Sequence, residues 1–409
     1  MNPKIILFTE KITNRIQYIF DFILHDFSGI DYKMTTDFEE YIQSELPKIN
    51  FSNQFIENGF NLHVDEILLE NDIHDTIDYH SLHEIGKCFY WLSRYEEYNA
   101  RPHQFDEHNR FLGSELDYSK PIVDEICLDF QQQLKKKFPS ISFKQRLFKQ
   151  INTHDVDYAW KYLHHSSEIK YGSFIKKLIK GEFVEARKQV KVLCHQENDP
   201  YDTFDYLKVL AEKHQVDTIF FWLLGDYSTF DKNHSWKNKT QQNLINKLSG
   251  WAKIGIHPSY QSNFEDNRLT NEIYRLKEIV TTEVKSSRQH FIKLNFPPTY
   301  QQLLKNDILE DYTMGFPHKT GFRAGTSTPY KWFDLTTNQQ TLLTIYPFTV
   351  MDVTLRNYLK LSPYQSIEEI KRIKQAIKTV NGTFITLFHQ SNLNGDWAEW
   401  RKVYESIFE

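Results

Sequence analysis

The chain has 409 residues, a formal charge of −5 and a sequence pI near 6.4. With 49 Lys and Arg against 54 Asp and Glu, it lacks the basic surplus of a nucleic-acid-binding domain. Only 14 Gly and 13 Pro beside 15% aromatic residues exclude collagen-like and disordered classes.

The first 145 residues read as a smaller α+β accessory domain, rich in acids, histidines and aromatics. A helix is predicted over 83–98, with Ile85, Cys88, Phe89, Trp91 and Leu92 on its buried face. Another is predicted over 123–137, ending in Lys135, Lys136 and Lys137, where cations complement the helix dipole. Pro139 marks the boundary. Residues 146–409 then alternate apolar runs with amphipathic stretches. Strands are predicted over 147–156, 218–224, 252–257, 289–294, 342–346 and 383–389. Helices are predicted over 203–214 and 241–251, and along the stripe Leu269, Ile273, Leu276 and Val280. A last helix carries Ile370, Ile373, Ile377 and Val380, with Ser366 and Glu369 as its capping box and Asn381-Gly382 as its stop. Such alternation gives parallel strands joined by helices, either an open doubly wound sheet or a (β/α) barrel.

Cys88, Cys127 and Cys194 lie far apart, with no disulfide framework and no metal-type pair, as expected in a reducing compartment. No signal-type N-terminus and no apolar run of membrane-spanning length is present, so the expected address is cytoplasmic, with no transmembrane segment.

Three apolar runs end in chemistry-bearing residues. Thr153-His154-Asp155-Val156-Asp157 closes the first. Residues two apart in a strand share a face, so Asp155 and Asp157 are expected together. Their mutual repulsion is relieved if a cation sits between them. The run Ile254-Gly255-Ile256 ends in His257, and the run from Phe384 to Phe388 ends in His389. Strand C-terminal ends are where barrel active sites form, so the acids and both histidines are expected at one face. Arg288 and His290 lie at the start of the 289–294 run.

In chain order, these motifs resemble the polysaccharide deacetylase superfamily, carbohydrate esterase family 4. The stretch Phe89-Tyr90-Trp91-Leu92-Ser93-Arg94-Tyr95-Glu96-Glu97-Tyr98 resembles the uncharacterised domain that precedes such deacetylases in bacteria of the Bacteroidetes group. The resemblance implies a distorted, incomplete (β/α) barrel holding a divalent metal, Zn²⁺ first among candidates. It implies Asp155 as catalytic base, Asp157 and His257 as metal ligands, and His389 as catalytic acid. Arg288 matches the arginine that pairs with the base, with Arg323 as a rival and as a candidate substrate contact. Asp311 matches the acid that orients the catalytic histidine. The position of the family's second metal histidine is Gln261, a weak neutral oxygen ligand.

The resemblance thus implies an amide hydrolase that removes N-acetyl groups from a carbohydrate. Tyr260, Tyr312, Tyr330 and Trp332 are candidates to stack on sugar rings. Two other readings stay open: a catalytically silent carbohydrate-binding protein, motivated by Gln261 and the aromatic load, and a hydrolase of a non-sugar amide.

Overall fold

A computed structural model describes residues 4–409. The fully buried run Ile5–Thr9 forms β1, inside a four-stranded sheet of order β2–β1–β3–β4. A strand apolar along its whole length suits the centre of a parallel sheet covered on both faces. Accordingly β2 (Tyr32–Thr35), β3 (Lys48–Phe51) and β4 (Phe60–Leu62) all pair in parallel. This region is therefore α/β, which corrects the expected α+β arrangement. Its helices are α1 (Asn14–Phe20), α2 (Phe38–Gln43), α3 (Glu66–Leu69), α4 (Glu84–Leu92), α5 (Tyr95–Tyr98) and α6 (Ile122–Lys137). The helix expected over 83–98 is broken in two at Arg94, which takes a left-handed φ of 56°.

The second sheet has nine strands in the order β10–β11–β9–β8–β7–β6–β5–β13–β12. Within it β5 (Lys149–Val156) lies between β6 (Asp217–Trp222) and β13 (Thr383–His389). Outward follow β7 (Lys253–Ile256), β8 (Ser286–Ser287), β9 (Glu310–Asp311) and β11 (Gln339–Ile345) on one side, and β12 (Val350–Met351) on the other. All these neighbours pair in parallel, and only β10 (Tyr330–Asp334) runs antiparallel, against β11. The sheet has two edges, β10 and β12.

The connections are α7 (Ser167–Ile179), α8 (Phe183–Leu193), α9 (Phe204–His214), α10 (Lys239–Ser249), α11 (Asp266–Lys277), α12 (Pro298–Lys305) and α13 (Pro363–Thr379), and α14 (Trp400–Ser406) follows the last strand. The α13 stripe is buried as expected, but its cap lies one turn earlier. Ser362 accepts from the Gln365 backbone, and Gln365 returns the bond in a capping box. Pro363 sits at the first helical position, where its missing N–H leaves no intrahelical bond unmade. The strand expected over 289–294 is also displaced. The ladder ends at Ser287, and Phe291 and Ile292 take left-handed φ values of 62° and 55°.

One apolar cluster runs through both regions, from Ile5 to Ile407. Tyr18 and Phe89 from the N-terminal part pack their rings on Phe333, at 5.0 and 5.3 Å. Polar contacts cross the same boundary. Asp124 on α6, fully buried, accepts from the hydroxyls of Thr326, Ser327 and Thr328.

Candidate active site and metal centre

The parallel strands deliver their C-terminal ends to one face, as such sheets do. Asp155 is the next-to-last residue of β5, and Asp157 follows at the two-residue spacing. Both reach the imidazole of His257, which follows β7: its Nε2 lies 3.7 Å from Asp155 Oδ2 and 3.4 Å from Asp157 Oδ1. His257 Nδ1 lies 2.6 Å from the Arg288 carbonyl. A carbonyl only accepts, so Nδ1 carries the proton and Nε2 is the atom left for a ligand.

His290 repeats this arrangement. Its Nδ1 is 2.9 Å from Asp231, and its Nε2 is 3.7 Å from Asp157 Oδ1. Asp231 is itself pinned by the backbone N–H of Tyr260 and of Gln261. One ligand atom each from Asp157, His257 and His290 lies within 4.8 Å of the others. Asp157 Oδ1 is sealed from solvent and accepts no hydrogen bond. An orphaned buried acceptor facing two imidazole Nε2 atoms fits a divalent cation. Carboxylate and imidazole are borderline donors that suit Zn²⁺ and its neighbours, and both histidines have the outer partner usual for metal ligands.

The charges reflect this crowding. Burial alone would push the Asp157 carboxyl up, but His290, His257 and His389 outweigh it and hold it far below the usual carboxylate range. Burial pulls His257 down, yet Asp155 and Asp157 raise it above an ordinary histidine. Metal binding would have to displace the proton that those acids hold there.

Two further pairs flank the cluster. Arg288, fully buried, donates to Asp155 Oδ1 at 3.2 Å and to the Thr153 hydroxyl. Its Nε donates to the Tyr312 carbonyl, and its guanidinium lies over the Phe221 ring. On the neighbouring strand, as the register partner of Asp155, His389 holds Asp352 through Nδ1 at 2.9 Å and turns Nε2 toward Asp157 at 3.9 Å. Burial pulls the His389 ring down, but Asp352, with help from Asp157 and Asp155, pushes it up to about 10. At neutral pH the ring is protonated. A cavity of about 200 Å³ joins Asp155, Asp157, His257, His290 and His389, walled by Phe291, Ile292, Met351, Val353, Tyr358 and Arg110.

The remaining sequence candidates lie elsewhere. Gln261 is not in the cluster: its backbone bonds Asp231, and the second imidazole comes from His290. Asp311 does not orient His389. It is buried and bonded to Thr313, with burial pushing its carboxyl up to about 6. Arg323 makes a two-toothed ion pair with Glu97, and the arginine that meets Asp155 is Arg288. Trp332 is buried edge-on against Tyr300, and Tyr330 is buried too. Tyr312 stacks on Tyr346 beside a separate cavity that includes Asp217 and Lys253. Tyr260 packs under Phe291 rather than on the cavity wall.

Three residues at the site were not singled out from sequence. His290 follows Arg288 at the same two-residue spacing that links Asp155 to Asp157, and that repetition was a usable signal. Asp352 follows a two-residue strand, β12, too short to show a period. Arg110 comes from the N-terminal region. Asp106 holds its Nε, the Phe291 carbonyl its Nη1, and the Tyr358 hydroxyl its Nη2.

Residues 5–139 match a family of unknown function, DUF7033. No curated protein matches the chain. Among solved structures, it is similar to one described as "putative polysaccharide deacetylase from Mycobacterium smegmatis". The match has a TM-score of 0.43 and 15% identity, and covers 66% of this chain and 86% of that one. At that level the likeness assigns neither residues nor chemistry.

Proposed function

We propose that the chain is a metal-assisted amide hydrolase that removes N-acetyl groups from a sugar or polysaccharide. One observation carries the reading. The Asp157, His257 and His290 cluster shares one cavity with a carboxylate held by an arginine and an imidazole held by a carboxylate. That is the set amide hydrolysis needs: an electrophile site, a base and an acid around one small cavity. The sugar as substrate rests on the sequence resemblance.

Asp157, His257 and His290 would hold the ion. When bound, a divalent metal supplies Lewis acidity toward a carbonyl oxygen and toward water. Arg288 fixes Asp155 through Oδ1, so Oδ2 is free to take a proton from the attacking water. His389 keeps Nδ1–H on Asp352 and offers Nε2–H to the departing amine nitrogen. Phe291, Ile292, Met351 and Val353 suit an acetyl methyl group and keep bulk water out. Arg110 and Tyr358 stand at the wall where sugar oxygens would lie. His290 would supply an imidazole that Gln261 does not, which weakens one motive for reading a silent binding protein.

The test is acetate release from N-acetylated oligosaccharides by the full chain, before and after chelation, with bound metal measured directly. Activity should vanish on chelation and return with added Zn²⁺ or a neighbouring ion. His290→Ala should lower metal affinity by about 10- to 100-fold or more. Full activity in metal-free protein would sink the metal centre. Turnover of other amides without acetate release would sink the sugar substrate.

A further inference from the structure

After Asp157 the chain crosses a short loop and enters the hairpin of α7 and α8. Along α7, Tyr171, Phe174, Ile175, Leu178 and Ile179 fall at i, i+3, i+4, i+7 and i+8, the spacing of one apolar helix face. Such a stripe ordinarily turns to the core. Here it turns outward. No residue of α7 is buried, and Tyr171 is 71%, Ile175 54% and Ile179 81% exposed. The polar face of the helix is the one that packs. Gln189 of α8, itself buried, accepts from Ser173 and Lys177 and donates to the Lys170 carbonyl. The tip of the hairpin adds Phe183 and Val184, exposed by 67% and 82%.

The charge of this segment is opposite to that of the chain. Residues 166–196 hold seven Lys and Arg against three Glu, a net charge of +4 in a chain of −5. Lys176 and Lys180 lie beside the apolar stripe and are exposed. An exposed apolar face bordered by cations is the composition of a helix that lies in a bilayer interface.

We propose that the α7–α8 hairpin anchors the protein to the surface of an anionic membrane. Ile175, Leu178, Ile179, Phe183 and Val184 would enter the headgroup–acyl boundary, while the lysines and Arg187 meet lipid phosphates. A second copy of the chain is the weaker fit, because face-to-face pairing would bring two +4 segments together. The anchor is peripheral: among the described residues no helix is long and apolar enough to cross a membrane. The inference does not depend on the reaction proposed above.

Co-sedimentation of the full chain with lipid vesicles tests it. The protein should pellet with phosphatidylcholine vesicles containing phosphatidylglycerol. Binding to phosphatidylcholine alone should be weaker by about 10-fold or more, and added salt should reduce the difference. The combined change Ile175→Ser, Ile179→Ser, Phe183→Ser and Val184→Ser should abolish pelleting without moving the melting curve, since all four are exposed. Lys176→Glu with Lys180→Glu should remove the preference for phosphatidylglycerol. Three results would overturn the proposal. The protein could stay in the supernatant with both vesicles. The serine variant could pellet as well as the parent. Or light scattering could find a dimer that the serine variant dissociates, which would assign the face to a second copy.

Discussion

Asp352 does for His389 what Asp231 does for His290: each fixes which nitrogen carries the proton and where the other points. Asp352 is itself fixed by the His389 backbone N–H and by Asn392. Replacing it with Asn removes the charge that keeps His389 protonated. In Asp352→Asn, kcat should fall by about 100-fold or more, with the fold retained. An unchanged kcat would show that His389 is not the acid. Glu97 has a structural counterpart of this role. Buried, it joins Arg94 and Arg323, and although burial raises its carboxyl, those two guanidinium groups hold it below the usual range. Glu97→Ala leaves two buried cations short of a partner and should destabilise the chain by about 3–5 kcal/mol, read from denaturant unfolding. A loss below about 1 kcal/mol would place this network in the class of exposed ion pairs.

At the scale of elements, strand length decided what could be read in advance. β5, β7 and β13 are buried runs of four to eight residues, so their ends at Asp155, His257 and His389 stood out in the sequence. β8 and β12 have two residues each, too short to show a period, so nothing marked Asp352, and His290, in the turn after β8, had only its spacing from Arg288. Aromatic type said nothing about exposure, which is why Trp332 and Tyr312 proved to be buried. The α13 cap was ambiguous because Ser362 with Gln365 and Ser366 with Glu369 both fit the box, and only Pro363 favours the first. A further element-scale effect lies in α11. Glu272 is buried under the loop after His257 and accepts from the Ser259 backbone and hydroxyl. Burial raises its carboxyl to about 7, from an ordinary 4.5. The folded state then holds a proton that the unfolded chain has already lost. Stability should therefore fall as pH rises from about 4.5 through 7 and level off above, by up to about 3 kcal/mol from this group. Glu272→Gln should gain stability relative to the parent across that window. Parallel stability–pH curves for the two proteins would refute the assignment.

One apolar cluster spans both regions, and α1 and α4 of the N-terminal part pack on the second sheet through Tyr18, Phe89 and Phe333. Residues 146–409 alone would expose that face, together with the unpaired Arg323. The shortened chain should lose its cooperative unfolding transition, and a sharp transition at the parent midpoint would contradict a shared core. A boundary near residue 145 was expected from composition, but the interlock was not, because long-range contacts leave no local pattern. Arg110 gives that interlock a second meaning. Three of its five donors are committed to Asp106, Phe291 and Tyr358, and two remain for whatever enters the cavity. Substrate preference would then be inherited partly from the N-terminal segment. Exchanging residues 1–145 between related chains should change KM toward a panel of sugars more than kcat. Two proteins with identical catalytic residues could diverge in diet through a region that carries none of the chemistry.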